Sequence, residues 1–110
     1  MNQEQYDHIV VLITAGDSEE AGRIARGLLE QRLAACVNVV AGVDSRFWWR
    51  GKLDEAKESL LIVKTKGRLL PEIVASVKKL HSYEVPEIIA LPVIGGSREY
   101  LDWIDREVKA

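Results

Sequence analysis

The side chains best equipped for chemistry gather in Leu80–Ile94, which reads L-H-S-Y-E-V-P-E-I-I-A-L-P-V-I. An imidazole (His81), a phenol (Tyr83) and two carboxylates (Glu84, Glu87) fall within seven residues. Imidazole and carboxylate together suit a borderline divalent cation such as zinc or copper(II). Ligation of that kind requires a neutral His81 and carboxylates that converge on it. His81 also ends an apolar helical pattern, where the carbonyl dipole favours imidazolium. A helix-terminal histidine bonded to backbone carbonyls, in a loop tied down by its own hydrogen bonds, is the plain structural alternative.

Other candidates stand apart from this loop. Lys64 follows four apolar residues, Leu60–Val63, so its ammonium must snorkel, pair with Glu58 or Glu87, or await an anion. Cys36 is the only cysteine and lies in the apolar run Leu33–Val40, where a free thiol behaves as a small hydrophobe. Phe47-Trp48-Trp49 places three consecutive aromatics that either stack on a ligand or pack at an interface. His8 opens a strand pattern and reads as structural or solvated. No G-x-x-x-x-G-K-[ST], G-x-S-x-G or H-E-x-x-H sequence occurs, and no nucleophile–base pair is visible, so enzymatic chemistry is not expected.

Composition narrows the classes. A chain of 110 residues, 47% hydrophobic and 29% charged, is a single domain spanning residues 1–110 with one core. A formal net charge of -2 supplies no basic field for nucleic acid. The N-terminal Met1–Asp7 is polar and acidic, unlike a signal peptide. No apolar run approaches the roughly 20 residues of a membrane span, so a cytoplasmic protein is expected.

The elements that must position these groups follow from periodicity. His8–Thr14 is a β-branched run of the kind covered on both faces. Asp17 or Ser18 caps a helix whose stripe is Ala21, Ile24, Ala25, Leu28, Leu29 and Leu33. Ala34–Arg50 and Leu53–Thr65 read as strands joined at Gly51-Lys52, and Pro71 opens a second helix with the stripe Leu70, Ile73, Val74, Val77 and Leu80. Pro86–Ile94 reads as a strand that begins at one proline and is interrupted by the other, since each proline removes a ladder donor. Ser97 caps a last helix over Arg98–Val108. The order β-α-β-β-α-β plus a helix is the ferredoxin-like α+β class: an antiparallel sheet with two helices on one face, a long hairpin and an extra C-terminal helix.

The hairpin is too long for its own domain. Extended, Ala34–Arg50 spans roughly 55 Å, against a diameter of roughly 35 Å for a domain of this size. It must bend, with Ala41-Gly42 as the natural bulge, or project. A projecting ribbon carrying Phe47, Trp48 and Trp49 exposes large rings, and a partner subunit is the simplest remedy.

Four blocks then carry a resemblance: Arg32–Asn38 (R-L-A-A-C-V-N); Ser45-x-Phe-x-Trp49-x-Gly51-x-Leu53; Glu58 with Ile62–Thr65; and His81-x-Tyr83–Glu87 with Leu91-Pro92 and Tyr100-Leu-x-Trp103. Over about Ile9 to Ile104 the chain resembles the CutA family of divalent-cation-tolerance proteins. The resemblance implies a ferredoxin-like subunit in a homotrimer whose hairpins extend sheets between subunits, with Phe47, Trp48 and Trp49 at the interface. It implies a function in tolerance of copper or another divalent cation, copper being the cation the family suggests first. Copper-binding relatives resemble a set with a first-strand cysteine and adjacent histidines. Here Ile13 and the pair Leu80-His81 stand at those places, leaving weak binding through His81, Glu84 and Glu87. The expected location is a cleft between subunits that also holds Lys64, Tyr83 and Trp49. The alternative is a PII-like regulator sensing a small anion there, which would need Lys64 or an arginine facing the cleft.

Overall fold

The computed structural model describes residues 7–110. Four strands, β1 (His8–Ala15), β2 (Cys36–Trp49), β3 (Lys52–Lys66) and β4 (Ile88–Pro92), form one antiparallel sheet in the order β2-β3-β1-β4. Three helices accompany them: α1 (Ser18–Glu30), α2 (Leu70–Leu80) and α3 (Arg98–Glu107). This is the ferredoxin-like arrangement that the order of elements implied. The acidic N-terminal stretch up to Tyr6 lies outside the described residues.

Alternation along the strands assigns the faces. Val11 and Ile13 of β1 and Leu61 and Val63 of β3 are fully buried with Ile24 and Leu28 of α1 and Ile73 and Val77 of α2. Burying an aliphatic side chain of this size stabilises by about 1.5–3 kcal/mol, so this layer holds the domain together. Val10, Leu12, Leu60 and Ile62 point the other way and are half-buried, while Ile89, Leu91 and Val40 beside them are exposed. The second face of the sheet is therefore apolar and largely uncovered.

The helix starts follow their caps. The Asp17 side chain accepts from the Glu20 N–H at 2.8 Å, and Ser97 Oγ accepts from the Tyr100 N–H at 3.3 Å. α3 is fastened to the sheet through Asp105, whose Oδ1 accepts from Lys66 Nζ at 2.9 Å and His8 Nε2 at 2.8 Å. His8 and Lys66 are cross-strand neighbours, which accounts for a histidine at the start of β1.

Several boundaries move from the sequence reading. β2 begins at Cys36, because Leu33 and Ala34 are buried in the core ahead of the strand. The hairpin turn is Arg50-Gly51 rather than Gly51-Lys52, with Trp49 paired to Lys52. Both turn residues have positive φ, +50° and +79°, as a two-residue type I′ connection requires. β4 begins two residues after Pro86 and ends at Pro92, an edge strand paired only to β1.

The bulge falls where expected. Register shifts between Val40 and Val43, with Gly42 at φ +74°, a conformation open to glycine at little cost. Beyond it the hairpin leaves the core, and Asp44, Arg46–Gly51 and Lys52–Glu55 are exposed. The long axis of the molecule is 43 Å against 30 and 24 Å for the others, so the ribbon projects.

The Asp105 clamp carries a pH signature. The Lys66 hydrogen bond outweighs burial and, with His8, holds the Asp105 carboxyl below the usual aspartate range. A depressed folded pKa contributes stability above the unfolded value, lost as pH falls through the folded one. Asp105→Asn is expected to lower the unfolding free energy by about 1 kcal/mol or less at neutral pH. The gap to the parent protein, measured by urea denaturation, closes below about pH 4. A gap that persists there would assign the effect to packing.

Candidate functional site

One cleft of about 720 Å³ lies between the projecting hairpin and the loop that precedes β4. Phe47 and Trp49 of β2 face it, as alternation on a strand dictates, and Trp48 does not. Trp48 points to the opposite side with its cross-strand partner Leu53, and each is 70% exposed. Tyr83, Glu84 and Glu87 supply the other wall, and Glu58 and Asp54 of β3 line it as well.

Two carboxylates hold the walls in place. Tyr83 Oη donates to Glu58 Oε2 at 2.7 Å, joining loop to hairpin. Behind it Glu20, buried in the first turn of α1, accepts from the Gly16 N–H at 3.0 Å and from the Ser82 N–H at 2.7 Å. Burial pushes the Glu20 carboxyl up, but the hydrogen bonds from Gly16 and Ser82 outweigh it and leave its pKa lowered. For Tyr83, burial and then the Glu58 hydrogen bond and charge, with Glu20 and Asp17 adding, push the phenol up to about 12.

His81 is a structural member of this loop. Its Nδ1 accepts from the Tyr83 N–H at 3.0 Å, so the proton sits on Nε2, which donates to the Thr14 carbonyl at 2.6 Å. Its ring also packs on that of Tyr83, centroids 4.7 Å apart. Both nitrogens are used, the residue is buried, and it does not line the cleft. Glu84 reaches Arg50 in the hairpin turn at 3.6 Å. The structure does not bring His81, Glu84 and Glu87 together as a ligand set: among the described residues no three His, Cys, Asp or Glu converge to hold a metal ion.

Lys64 also departs from expectation. Its Nζ donates to the Asn38 side-chain oxygen, not to Glu58 or Glu87. It lies six residues along β3 from Glu58, about 20 Å in an extended strand, so it is no part of the cleft. Cys36 is half-buried as a free thiol beside Tyr100. Burial and then Cys36 raise the Tyr100 phenol pKa.

The sequence reading missed Glu58 as a wall of the site and Glu20 as its brace. Glu58 left a trace, standing in phase with the half-buried positions Leu60 and Ile62 at the head of a buried strand. Glu20 left none, because a glutamate in the first turn of a helix is ordinary.

Glu20→Ala orphans two backbone N–H groups and is expected to cost about 2 kcal/mol in urea denaturation. That contribution is present above the usual glutamate range and fades as pH falls through the lowered folded pKa. In a spectrophotometric titration one tyrosine should ionise at about 12 and vanish in Tyr83→Phe. Its raised pKa stabilises the fold below the ordinary tyrosine value, an effect lost as pH rises through the folded one. Titration of every tyrosine near its ordinary value would contradict the Glu58 bond.

Comparison with known proteins places this geometry. Residues 9–107 match the family model described as CutA1 divalent ion tolerance protein. The divalent-cation tolerance protein CutA of Thermus thermophilus is 53% identical over 95 residues, covering 86% of this chain and 92% of that protein. The solved structure of the periplasmic divalent cation tolerance protein CutA from Archaeoglobus fulgidus superposes with a TM-score of 0.90 at 48% identity, covering 93% of this chain and 99% of the other. CutA1 from Oryza sativa gives 0.91 at 42% identity, covering 94% and 95%. With the family model spanning nearly all of the described fold, the chain belongs to the CutA1 divalent ion tolerance family.

Proposed function

We propose that this protein serves divalent-cation tolerance by binding a divalent cation weakly in the cleft, through carboxylates, without enzymatic turnover. The observation that carries the reading is Glu58. It is only 7% exposed, faces the cleft, and engages one oxygen with Tyr83; Oε1 receives no hydrogen bond from a described residue. That second oxygen is not a buried orphan, so it is open to solvent in the cleft, where a carboxylate attracts a cation. Asp54, Glu84 and Glu87 share the cleft with it, against Arg46. Zinc and copper(II) both accept such oxygens, and His81 acts by positioning Tyr83. The lack of three preassembled ligands and Ile13 at the thiolate position argue for low affinity and against a copper site built on sulfur. The anion-sensing alternative gains nothing here. Arg46 lies near Asp44 and Glu55, and Lys64 is bonded to Asn38.

Assembly belongs to the same proposal. The uncovered apolar sheet face (Leu60, Ile62, Ile89, Leu91) and the Trp48–Leu53 pair need cover, and a homotrimer built on them gives it. Phe47 and Trp49 then line a cleft that a neighbouring subunit walls off. No helix among the described residues is long and apolar enough to cross a membrane. A cytoplasmic location is part of this proposal, resting on the polar, acidic Met1–Asp7 that differs from a signal peptide; the Archaeoglobus relative is named periplasmic and an Oryza relative chloroplastic.

Light scattering should report about three times the 12.3 kDa chain mass, and Trp48→Glu should weaken assembly, since a buried interface aromatic commonly contributes about 2 kcal/mol or more. A monomer at micromolar concentration would end the trimer reading. Calorimetric titration with zinc and copper(II) should give weak binding that Glu58→Gln removes and Cys36→Ser leaves intact. Binding that survives Glu58→Gln and is abolished by His81→Ala would instead make the imidazole a ligand.

A further inference from the structure

The cleft has walls that a bare metal ion does not need. Phe47 and Trp49 present ring surface, Tyr83 stands opposite, and the carboxylates of Glu58, Glu84 and Glu87 lie between them. At its mouth the chain already places one cation of its own. Arg50 Cζ sits 5.4 Å from the Trp49 ring centroid, and Arg50 Nη2 lies 3.6 Å from Glu84 Oε2. That distance is within the cation–π range. Both side chains are about three-quarters exposed, so the pairing is loose and open to displacement.

We propose that the cleft accepts a guanidinium-bearing organic cation, for which Arg50 stands in at the mouth. A guanidinium is flat, so it stacks on an indole face, and its fork of N–H donors matches a carboxylate edge. Trp49 and Glu84 provide that combination at the mouth. Glu58, which also lines the cleft, has one oxygen fixed by Tyr83, and the other accepts no hydrogen bond from a described residue and is open to solvent. An alkylammonium is a compact, strongly hydrated point charge that neither stacks nor forks. Rings and carboxylates lining one cleft are the mixture that small organic ligands use. This inference is independent of the metal reading, although both draw on Glu58.

The test is calorimetric titration of the full chain with butylguanidine, with butylamine, and with a blocked Gly-Arg-Gly peptide. Butylguanidine should bind and butylamine should bind at least about fivefold more weakly, the difference a stacked and forked contact makes. Arg50→Ala should tighten butylguanidine binding about three- to tenfold by emptying the mouth. Glu58→Gln and Trp49→Leu should each weaken it about tenfold or more, in proteins whose circular dichroism and melting match the parent. Binding of butylguanidine above the peptide points to a free small molecule, and the reverse to an arginine on a polypeptide; either supports the proposal. Equal binding of butylamine, no heat with butylguanidine, or indifference to both Glu58→Gln and Trp49→Leu overturns it. Zinc binding without butylguanidine binding refutes this inference alone, and the converse refutes the metal reading alone.

Discussion

The hydrogen bond from Tyr83 to Glu58 is the contact on which the site depends. It joins two parts of the chain, a hairpin outrunning its sheet and a loop between α2 and the edge strand β4, whose other polar contact among the described residues is the exposed Arg50–Glu84 pair. The bond lies at 2.7 Å, and burial makes it matter. Glu58 is only 7% exposed, its Oε2 is held by the phenol, and its other oxygen is not left buried without a partner. With Asp54, Glu84 and Glu87 beside it, the cleft sets four carboxylates against the Arg46 guanidinium, and that balance favours positive charge.

Behind that bond stand further hydrogen bonds made by buried side chains. Glu20 holds the N–H groups of Gly16 and Ser82, and His81 holds the Tyr83 N–H and the Thr14 carbonyl. Glu20 and His81 therefore hold two backbone N–H groups of one short loop, and His81 ties that loop to β1 through the Thr14 carbonyl. Such a frame suits weak, exchangeable ligands. The loop backbone is held by hydrogen bonds, while the carboxylates of Glu84 and Glu87 remain exposed. Tolerance of a cation fits this better than tight sequestration, which would need three converged ligands.

The fold was legible because its signals are periodic. The buried stripe of α1, the β-branched run of β1 and the bulge at Gly42 each announce themselves locally, and the sheet order follows from short connections. The projecting hairpin was legible for a different reason, since strand length against domain size is simple arithmetic. Site chemistry was only half legible. Trp49, Tyr83, Glu84 and Glu87 do meet in one cleft. That both nitrogens of His81 are occupied depends on the Tyr83 N–H two residues on and on the Thr14 carbonyl of β1, and the partner of Lys64 depends on the register of β2 against β3. Neither is a local property. Glu20 and Glu58 act across separations of 62 and 25 residues, and no spacing rule reaches that far.

The most direct examination of the cation-binding claim is anomalous diffraction from crystals soaked in a zinc or manganese salt. The expected result is a peak beside Glu58 Oε1, within coordination distance of Glu84 or Glu87, with His81 still donating to Thr14. A peak on His81 or on the Cys36 sulfur, with the cleft empty, would contradict a carboxylate site.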